Sequence, residues 1–190
     1  MCMSIPEWIT AISAFALAWI TLVLAIYTGK LWRSTERNSQ LELRAYISVG
    51  EESKGRRIEE GKRAKVQSVI TNNGKTPAHA IICNSDIVIL PKDIKENSQL
   101  PKLKDKELIS ATMAAGEAVF LATEGDYPVD SHHLADICGF GNNRLYLYGT
   151  ITYRDAFTEN QYTNFCYQIQ VSPDGTVTGW HITPCHNDRS

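Results

Sequence analysis

Hydrophobic residues form one unbroken run near the start of the chain. From Trp8 to Tyr27 there is no charged side chain, and only three hydroxyl-bearing residues interrupt the apolar pattern. A helix rises about 1.5 Å per residue, so the run matches the roughly 30 Å hydrocarbon thickness of a bilayer. The pattern predicts a transmembrane helix over residues 8–28, preceded by a short tail over residues 1–7.

A cleaved signal and a buried soluble helix are the alternatives to a membrane span. A signal peptide normally starts with basic residues and ends at a small-x-small site. Residues 1–7 contain no Lys or Arg, and residues 26–30 (IYTGK) form a poor cleavage site. A lipoprotein cysteine follows the apolar run, whereas Cys2 precedes it. A buried helix needs a partner surface all round. The transmembrane helix is therefore the favoured interpretation.

The charges that flank the span predict its orientation. Glu7 is the only charged residue before it. Basic side chains are retained on the cytoplasmic side of a membrane. The N-terminus is therefore expected outside and the remainder of the chain in the cytoplasm, because four basic residues follow the span: Lys30, Arg33, Arg37 and Arg44.

Small residues recur along the predicted span at alternating spacings of three and four. This is the heptad pattern of left-handed helix pairs, and small side chains let helices approach closely in lipid. Alanine is also common in membrane spans generally, which is the alternative explanation. We expect the chain to form a homo-oligomer through this small-residue seam, which consists of Ala11, Ala14, Ala18, Thr21 and Ala25.

The periodicity changes after the span. Residues 29–44 have helix-compatible polarity and predict a juxtamembrane helical linker that ends near Leu43. Farther on, short runs alternate between apolar and polar residues, as strands do, with turn residues between them. The predicted strands cover residues 45–49, 66–71, 78–90 (as one strand or as two broken near 84–85), 109–123, 144–153, 161–171 and 176–182.

Seven or eight short strands with turn signals between them are typical of an antiparallel sandwich. No long helix and no sequence repeat is predicted after Arg44. Residues 51–65 and 91–107 are predicted loops, and residues 127–143 are predicted to be irregular. The expected fold class is mainly β: residues 45–190 form one soluble immunoglobulin-like β-sandwich behind the transmembrane helix.

Several short phrases of the sequence carry a resemblance when they are taken together. They lie at residues 44–49 (RAYISV), 72–78 (NNGKTPA), 148–157 (YGTITYRDAF) and 163–166 (TNFC), and at Trp180 leading to residues 185–187 (CHN). In combination they resemble a set of small bacterial single-pass membrane proteins with a C-terminal immunoglobulin-like β domain. The resemblance covers nearly the whole chain and implies a bacterial inner membrane, an anchor and a sandwich. It implies no activity.

Two of these phrases are predicted to be fold determinants rather than ligand contacts. Gly74 is expected to supply the positive φ that its turn needs, and Pro77 to start an edge or bent strand. Asp155 is expected to accept a hydrogen bond from the backbone of its own turn, while Phe157 folds back onto the sheet.

The net charge argues against nucleic acid as a partner. The spacing of cysteines and histidines gives little support for a metal site. The 190 residues carry a net charge of −2, whereas a nucleic-acid binder usually has a basic excess. Among five cysteines and five histidines, only His181 and His186 have a zinc-like spacing, and adjacent Cys185 and His186 point opposite ways on an extended segment. No metal and no cofactor is predicted. The weaker metal alternative uses Cys166, Cys185 and His186, together with His181, Cys138 or the pair His132 and His133.

No catalytic motif is recognised, so the chain is predicted not to be an enzyme. Cys83 and Cys166 are expected to be buried core thiols, and a disulfide between Cys166 and Cys185 would contradict a cytoplasmic domain. A nucleophilic trio of Cys166, Asp155 and His181 or His186 has no sharp-turn motif to support it. Two further patterns are weak: the acidic loop of Asp126, Asp130 and Asp136, and Gly139-Phe140-Gly141, which lacks a following helix and lysine.

The leading functional expectation is a membrane-anchored, non-enzymatic recognition or scaffolding module with its sandwich on the cytoplasmic face. Its partners are membrane lipid and an unidentified protein or small molecule. Two alternatives stay open: a ligand-responsive membrane effector that acts through helix oligomerisation, and a small enzyme or metal-binding domain that uses the C-terminal Cys and His residues. Core packing is the alternative role for the residues of the expected partner surface, which are Tyr153, Asp155, Trp180, Cys185, His186 and Asn187.

Overall fold

The computed structural model of the protein describes residues 5–52, 55–92, 94, 100–103, 111–157 and 160–188. The chain divides into two compact units, with the boundary between Leu43 and Arg44. The first unit is helical and the second unit is built from strands.

The first unit is one continuous helix, α1, Ile5–Leu43. It is long and apolar enough to cross a membrane. The predicted juxtamembrane linker is part of the same helix, and the predicted end near Leu43 is confirmed. The Oγ1 atoms of Thr21 and Thr28 each donate to a carbonyl one turn earlier, at 2.8 Å. Such internal bonds satisfy the hydroxyl groups within the helix itself.

The described residues of the second unit form eight strands and one short α-helix. The helix α2 is followed directly by one π-helical turn, Asp136–Phe140. The elements are β1, Ile47–Glu51; β2, Arg63–Asn72; β3, Ala78–Pro91; β4, Ala111–Met113; β5, Ala118–Pro128; α2, Ser131–Ala135; β6, Asn143–Arg154; β7, Gln161–Val171; and β8, Val177–Ile182.

The strands form two antiparallel sheets, which confirms the predicted immunoglobulin-like sandwich. The first sheet has the order β1-β2-β5, and the second has the order β4-β3-β6-β7-β8. Strands one, two and five thus face strands three, four, six and seven, as in immunoglobulin-type folds. Strand β8 extends the second sheet beyond β7.

Strand β6 is buried on both faces, and this explains its nearly continuous apolar sequence. Leu147 and Ile151 point into the core between the sheets. Tyr146 and Tyr148 point the opposite way, because side chains alternate along a strand. They form an outer cluster with three further buried residues, Ile94, Cys166 and Cys185.

The turn between β2 and β3 is held by Asn72, which is fully buried. Its Nδ2 donates to the carbonyl oxygens of Thr76 at 2.8 Å and Ala114 at 3.2 Å, and its Oδ1 accepts from the backbone N–H of Gly74 at 3.0 Å. The prediction of positive φ at Gly74 is wrong. A Cβ at Gly74 would lie only 2.5 Å from the Cα of Ala45, so close backbone approach is what requires glycine there.

Several predicted boundaries also differ from the structure. The first strand begins two residues later than predicted. Residues 78–90 belong to one strand, which confirms the first of the two alternatives, and the strand has an irregularity at Ala80 (φ 49°). The single strand predicted over residues 109–123 is two strands, β4 and β5, and the region predicted to be irregular contains α2. Within the predicted loop 91–107, residues 93, 95–99 and 104–107 lie outside the described part of the chain.

Candidate functional site

The candidate site lies beside the second half of β3, with which the described residues of β4 do not pair. Strand β4 pairs only with Ala78 and Ile81 of β3. Farther along β3, the end of β5 comes close instead. A Cβ built on Gly125 would lie 3.5 Å from the Cβ of Ile87 and 3.7 Å from the carbonyl oxygen of Ala64. This close approach places the residues after Gly125 beside the central part of β3.

A cavity of about 400 Å³ opens at this place, between β3, the end of β5, α2 and residues 101–102. We call it the Asp86 cleft. Much of its wall is apolar, and β2 and β6 also contribute lining residues. Its polar and aromatic lining residues are Asp86, Lys102, Asp126, Tyr127, His133 and Tyr148.

Two buried residues meet at the inner wall of the cleft. Asp86 of β3 and Tyr148 of β6 are direct partners in the antiparallel register. Asp86 is 9% exposed and its Oδ1 accepts a hydrogen bond from the backbone N–H of Ile87 at 2.8 Å. Tyr148 is 1% exposed, and among the described residues its hydroxyl has no hydrogen-bond partner.

The pKa of Tyr148 is raised to about 12, chiefly because burial disfavours the phenolate. The negative charges of Asp86 and Asp126 raise it further. The phenol is therefore neutral at physiological pH.

The outer rim of the cleft combines an aromatic ring with basic side chains. Tyr127 is 78% exposed, and Lys102 is also exposed. His133 is held in place by Asp130, which accepts from its backbone N–H at 2.7 Å and lies 3.1 Å from its Nδ1. The backbone hydrogen bond is the main reason why the pKa of Asp130 is lowered.

The expected solvated loop of three acidic residues does not exist as one feature. Asp130 caps the N-terminus of α2, and Asp136 accepts a hydrogen bond from Nδ2 of Asn143 at 2.7 Å. Only Asp126 lines the cleft. Gly141 nearby has a packing reason, because a Cβ there would collide with Asp136.

The C-terminal residues expected to form one partner surface lie in three separate places. The first place is the end of β6. There Tyr153 is buried in the core and its hydroxyl donates to the carbonyl of Ala45 at 3.3 Å. Asp155 accepts from the backbone N–H of Phe157 at 2.9 Å, as predicted, and its Oδ2 lies 3.0 Å from Nε of Arg44. Phe157 is 44% exposed, so its expected packing onto the sheet is only partial.

The second place is the far end of β7. Trp180 packs against Tyr167 with 5.4 Å between the ring centroids. In the registers of the sheet, Trp180 is opposite Ile169, whereas Tyr153 is opposite Gln161 at the other end of β7. This separation keeps Trp180 away from the Tyr153 end.

The third place is the outer face of the second sheet, where the chain after β8 folds back beside β7. The side chain of Asn187 fastens this tail. Its Oδ1 accepts from the backbone N–H of Cys166 at 3.0 Å, and its Nδ2 donates to the carbonyls of Thr183 at 2.7 Å and Cys185 at 2.8 Å. The ring of His186 meets that of Tyr148 edge-on, with 6.5 Å between centroids. These residues fasten the tail, and they do not join Tyr153 or Trp180.

The buried cysteines are poorly suited to nucleophilic chemistry. Burial raises the pKa of both Cys83 and Cys166 to about 12, so both are neutral thiols. The thiols of Cys83, Cys138, Cys166 and Cys185 are unbridged. The supposed trio is not assembled, because Cys166 lies in the outer cluster and Asp155 at the end of β6. Within the described ranges, no group of three His, Cys, Asp or Glu residues is placed to hold a metal ion.

Sequence reasoning missed the Asp86 cleft, although one signal for it was present. Asp86 is the only acidic residue in β3, and it is followed by four apolar residues in a strand where a charge is rare unless something accommodates it. Its partner Tyr148 gave no such signal, because a tyrosine in a strand is ordinary.

Comparisons of the chain with curated proteins and with solved structures find no match. A family model, however, matches residues 8–172, which include the apolar part of α1 and all strands from β1 to β7. The match covers most of the chain. The protein therefore belongs to the family described as a domain of unknown function, DUF8453.

Proposed function

We propose that the protein is a membrane-anchored, non-enzymatic recognition module. In this proposal α1 crosses the bacterial inner membrane, the sandwich lies in the cytoplasm, and the Asp86 cleft receives a ligand. The observation that carries the anchor is the exposure of the apolar side chains along α1; Phe15, for example, is 75% exposed. Removing such a side chain from water is worth about 1.5–3 kcal/mol, and a bilayer does this for the whole run at once.

The orientation in this proposal rests on the basic residues that follow the span. Lys30, Arg33 and Arg37 all lie on the continuous helix beyond the apolar run. Retention of these charges on the cytoplasmic side places the N-terminus outside. Trp8 and Trp32 bracket the run, as aromatic residues do at the two interfaces of a membrane.

Recognition is favoured over catalysis by the chemistry of the cleft. Its inner wall offers carboxylates and a neutral phenol on rigid strands, together with an apolar surface. This combination of an apolar wall with a few convergent polar groups is typical of small-molecule sites. The thiols that an enzyme mechanism would need have raised pKa values and lie in packed clusters.

Cysteine labelling tests the anchor and its orientation together. The described cysteines are buried, and Cys2 lies outside the described residues on the side expected to face outward. A membrane-impermeant maleimide should label the wild-type protein in spheroplasts through Cys2. An Asp174→Cys variant with Cys2→Ser, which places the thiol on an exposed turn after β7, should react only after the membrane is permeabilised. Labelling of this variant in sealed spheroplasts would contradict the proposed orientation. Release of the protein from membranes by alkaline carbonate would contradict the proposed membrane anchor.

A second candidate function is a membrane effector that acts through self-association of α1. A shallow groove runs along the helix beside the small-residue seam, with Ala14, Ala18 and Ala25 in its wall. Thr21 also lines the groove, and its hydroxyl donates to the carbonyl of Leu17 at 2.8 Å. This helix face therefore carries small side chains, and the hydroxyl of Thr21 is already hydrogen-bonded within the helix. Such a face favours close helix packing in lipid.

A further inference from the structure

We infer that α1 binds the headgroup of an anionic phospholipid directly beyond its apolar run, through Lys30 and Arg33 with support from Arg37. The inference rests on the proposed function, because it needs α1 to be anchored in a membrane. It depends on neither the orientation of the helix nor the ligand of the Asp86 cleft. It is argued from the position of the three basic residues around the helix, from their distance to the apolar run and from their lack of an ion-pair partner in the described chain.

The three basic residues lie on one face of α1. Arg33 follows Lys30 by three residues, and Arg37 follows Arg33 by four. Residues at these spacings are neighbours on a helix surface. Another side of the same stretch forms a shallow groove, whose described lining includes Leu31 and Trp32 but none of the three basic residues. The positive charge is therefore gathered on one face and is not spread around the helix.

The distances along α1 place this face at the level of the lipid headgroups. A rise of about 1.5 Å per residue puts the Cα atoms of Lys30 and Arg33 about 4.5 and 9 Å beyond that of Tyr27, where the apolar run ends. The headgroup layer on each side of a bilayer is about 5–7 Å thick. Side chains of a helix lean toward its N-terminus, and the N-terminal part of α1 is the part inside the membrane. Both side chains therefore lean back toward the lipid phosphates.

In the part of the chain that the structure describes, none of the three basic side chains has an ion-pair partner. All three are exposed, and they remain unpaired although Glu36 lies three residues after Arg33. A lipid phosphate suits the pair, since a guanidinium donates two parallel hydrogen bonds to phosphate oxygens and an ammonium adds a further donor. Arg37 lies one turn farther out, within about 10 Å of the headgroup layer, where its charge is only partly screened.

The net charge of the lipid should decide how tightly it binds. A zwitterionic headgroup carries its own cation beside the phosphate, and this cation is repelled by the basic face. A headgroup with net negative charge lacks that repulsion. Each basic residue near a membrane surface changes the affinity for anionic lipid by roughly fivefold. Two such residues at headgroup level thus predict a preference of at least about tenfold for anionic lipid.

Native mass spectrometry of the full-length protein in detergent micelles tests this preference. The protein is titrated with phosphatidylglycerol and, separately, with phosphatidylcholine that has the same acyl chains. We expect phosphatidylglycerol to bind at least about tenfold more tightly. An excess of inorganic phosphate should not displace the bound lipid, because free phosphate has no acyl chains to pack against the apolar run. This competition distinguishes a lipid site from a site for free phosphate.

Two double variants locate the site. Lys30→Gln with Arg33→Gln should lower the preference for phosphatidylglycerol by about tenfold or more, to near equality of the two lipids. Lys62→Gln with Lys65→Gln is the matched control. It removes the same charge from exposed positions of the β unit, where both lysines already have carboxylate partners. The control should keep the wild-type preference.

An exchange of two residues separates a paired site from general attraction by charge. Leu31→Arg with Arg33→Leu keeps the composition and net charge and moves the guanidinium about 3 Å toward the membrane. It also takes the guanidinium off the face of Lys30, because adjacent residues of a helix do not face each other. A paired site predicts a preference about fivefold lower than in the wild type. Attraction by charge alone predicts no loss.

Each contrary outcome has a distinct meaning. Equal binding of the two lipids by the wild type would overturn the inference, as would displacement of the lipid by phosphate or an equal loss in the lysine control. Full preference in the exchange variant would overturn the paired site and leave only general attraction. The membrane anchor is decided separately by extraction with alkaline carbonate, so its failure is distinguishable from failure of the lipid site. Melting temperatures of the variants exclude loss of the fold as the cause.

Discussion

Nε of Arg44 lies 3.0 Å from Oδ2 of Asp155, so the first residue of the β unit is ion-paired to the turn that follows β6. The side chain of Asp155 is fully buried and that of Arg44 is 17% exposed. Removing one partner of an ion pair this far from solvent destabilises the folded protein, because the remaining partner keeps a charge without its counterion.

Removing Asp155 should therefore destabilise the β unit markedly. In Asp155→Ala the Arg44 charge loses its counterion and the backbone N–H of Phe157 loses its acceptor. We expect the free energy of unfolding to fall by about 3 kcal/mol, measured by chemical denaturation. In a double-mutant cycle with Arg44→Met, the double variant should be more stable than the sum of the single losses predicts. Strict additivity would show that the pair contributes nothing.

The two tyrosines of the outer cluster should respond oppositely to loss of their hydroxyls. The hydroxyl of Tyr146 lies 2.7 Å from the carbonyl oxygen of Lys92 and 2.9 Å from that of Pro91, and it donates there. Tyr146→Phe should thus cost about 1–2 kcal/mol of stability. Tyr148→Phe removes a buried hydroxyl that has no partner in the described chain, so it should be neutral or stabilising. Equal losses in the two variants would contradict this difference.

Gly74 should reject every residue with a Cβ, including those that tolerate positive φ. Asparagine is accepted in left-handed turns, but at residue 74 its Cβ would run into the backbone of residues 44–46. We expect Gly74→Asn and Gly74→Ala to be similarly and strongly destabilised, by about 3 kcal/mol or more. Gly116 has φ +78° and open space around it. Gly116→Asn should therefore lose less stability than Gly116→Ala. If Gly74→Asn were likewise more stable than Gly74→Ala, a positive φ and not close backbone contact would be the reason for glycine at residue 74.

Enlarging the small-residue seam should reduce self-association of α1. The substitutions Ala14→Leu and Ala18→Leu fill the groove and hold neighbouring backbones apart. The signal in a membrane two-hybrid assay should drop to that of a monomeric control span. Leu24→Ala with Ile26→Ala changes the helix away from the groove wall and should leave the signal unchanged. An unaltered signal in the Leu variants would exclude the seam as the contact.

Stability should decline at alkaline pH because of buried thiols. Burial raises the pKa of Cys83 from about 9 to about 12, so between these values the unfolded chain loses a proton that the folded chain keeps. The contribution is present below pH 9 and is lost as the pH rises toward 12, with a slope of up to about 1.4 kcal/mol per pH unit. Cys83→Ala should flatten the dependence of the unfolding free energy on pH. Val66→Ala, a truncation of a buried side chain without a titratable group, should lower stability at every pH and keep the slope.

Much of the architecture could be predicted because it depends on local periodicity. The apolar run of α1, its polar continuation to Leu43 and the strand Gln161–Val171 follow from residue patterns alone. The sandwich follows from the spacing of turns, although the eighth strand comes from the division of residues 109–123 and not from a break in residues 78–90. The predictions from the sequence pattern were wrong where a residue is constrained by a segment far away in the chain. Gly74, for example, is constrained by the backbone of residues 44–46.

The candidate site depended on contacts that the linear sequence does not contain. Asp86 is unusual as an acidic residue within a strand, but nothing in the linear sequence links it to Asp126; the two line one cavity because the end of β5 lies beside β3. Likewise, Tyr153, Trp180 and Asn187 seemed to belong together by their place near the C-terminus, but the strand registers put them at three locations. Periodicity determines which face of an element is buried. Only the packing of one element against another decides which polar groups meet, because those distances join residues far apart in the chain.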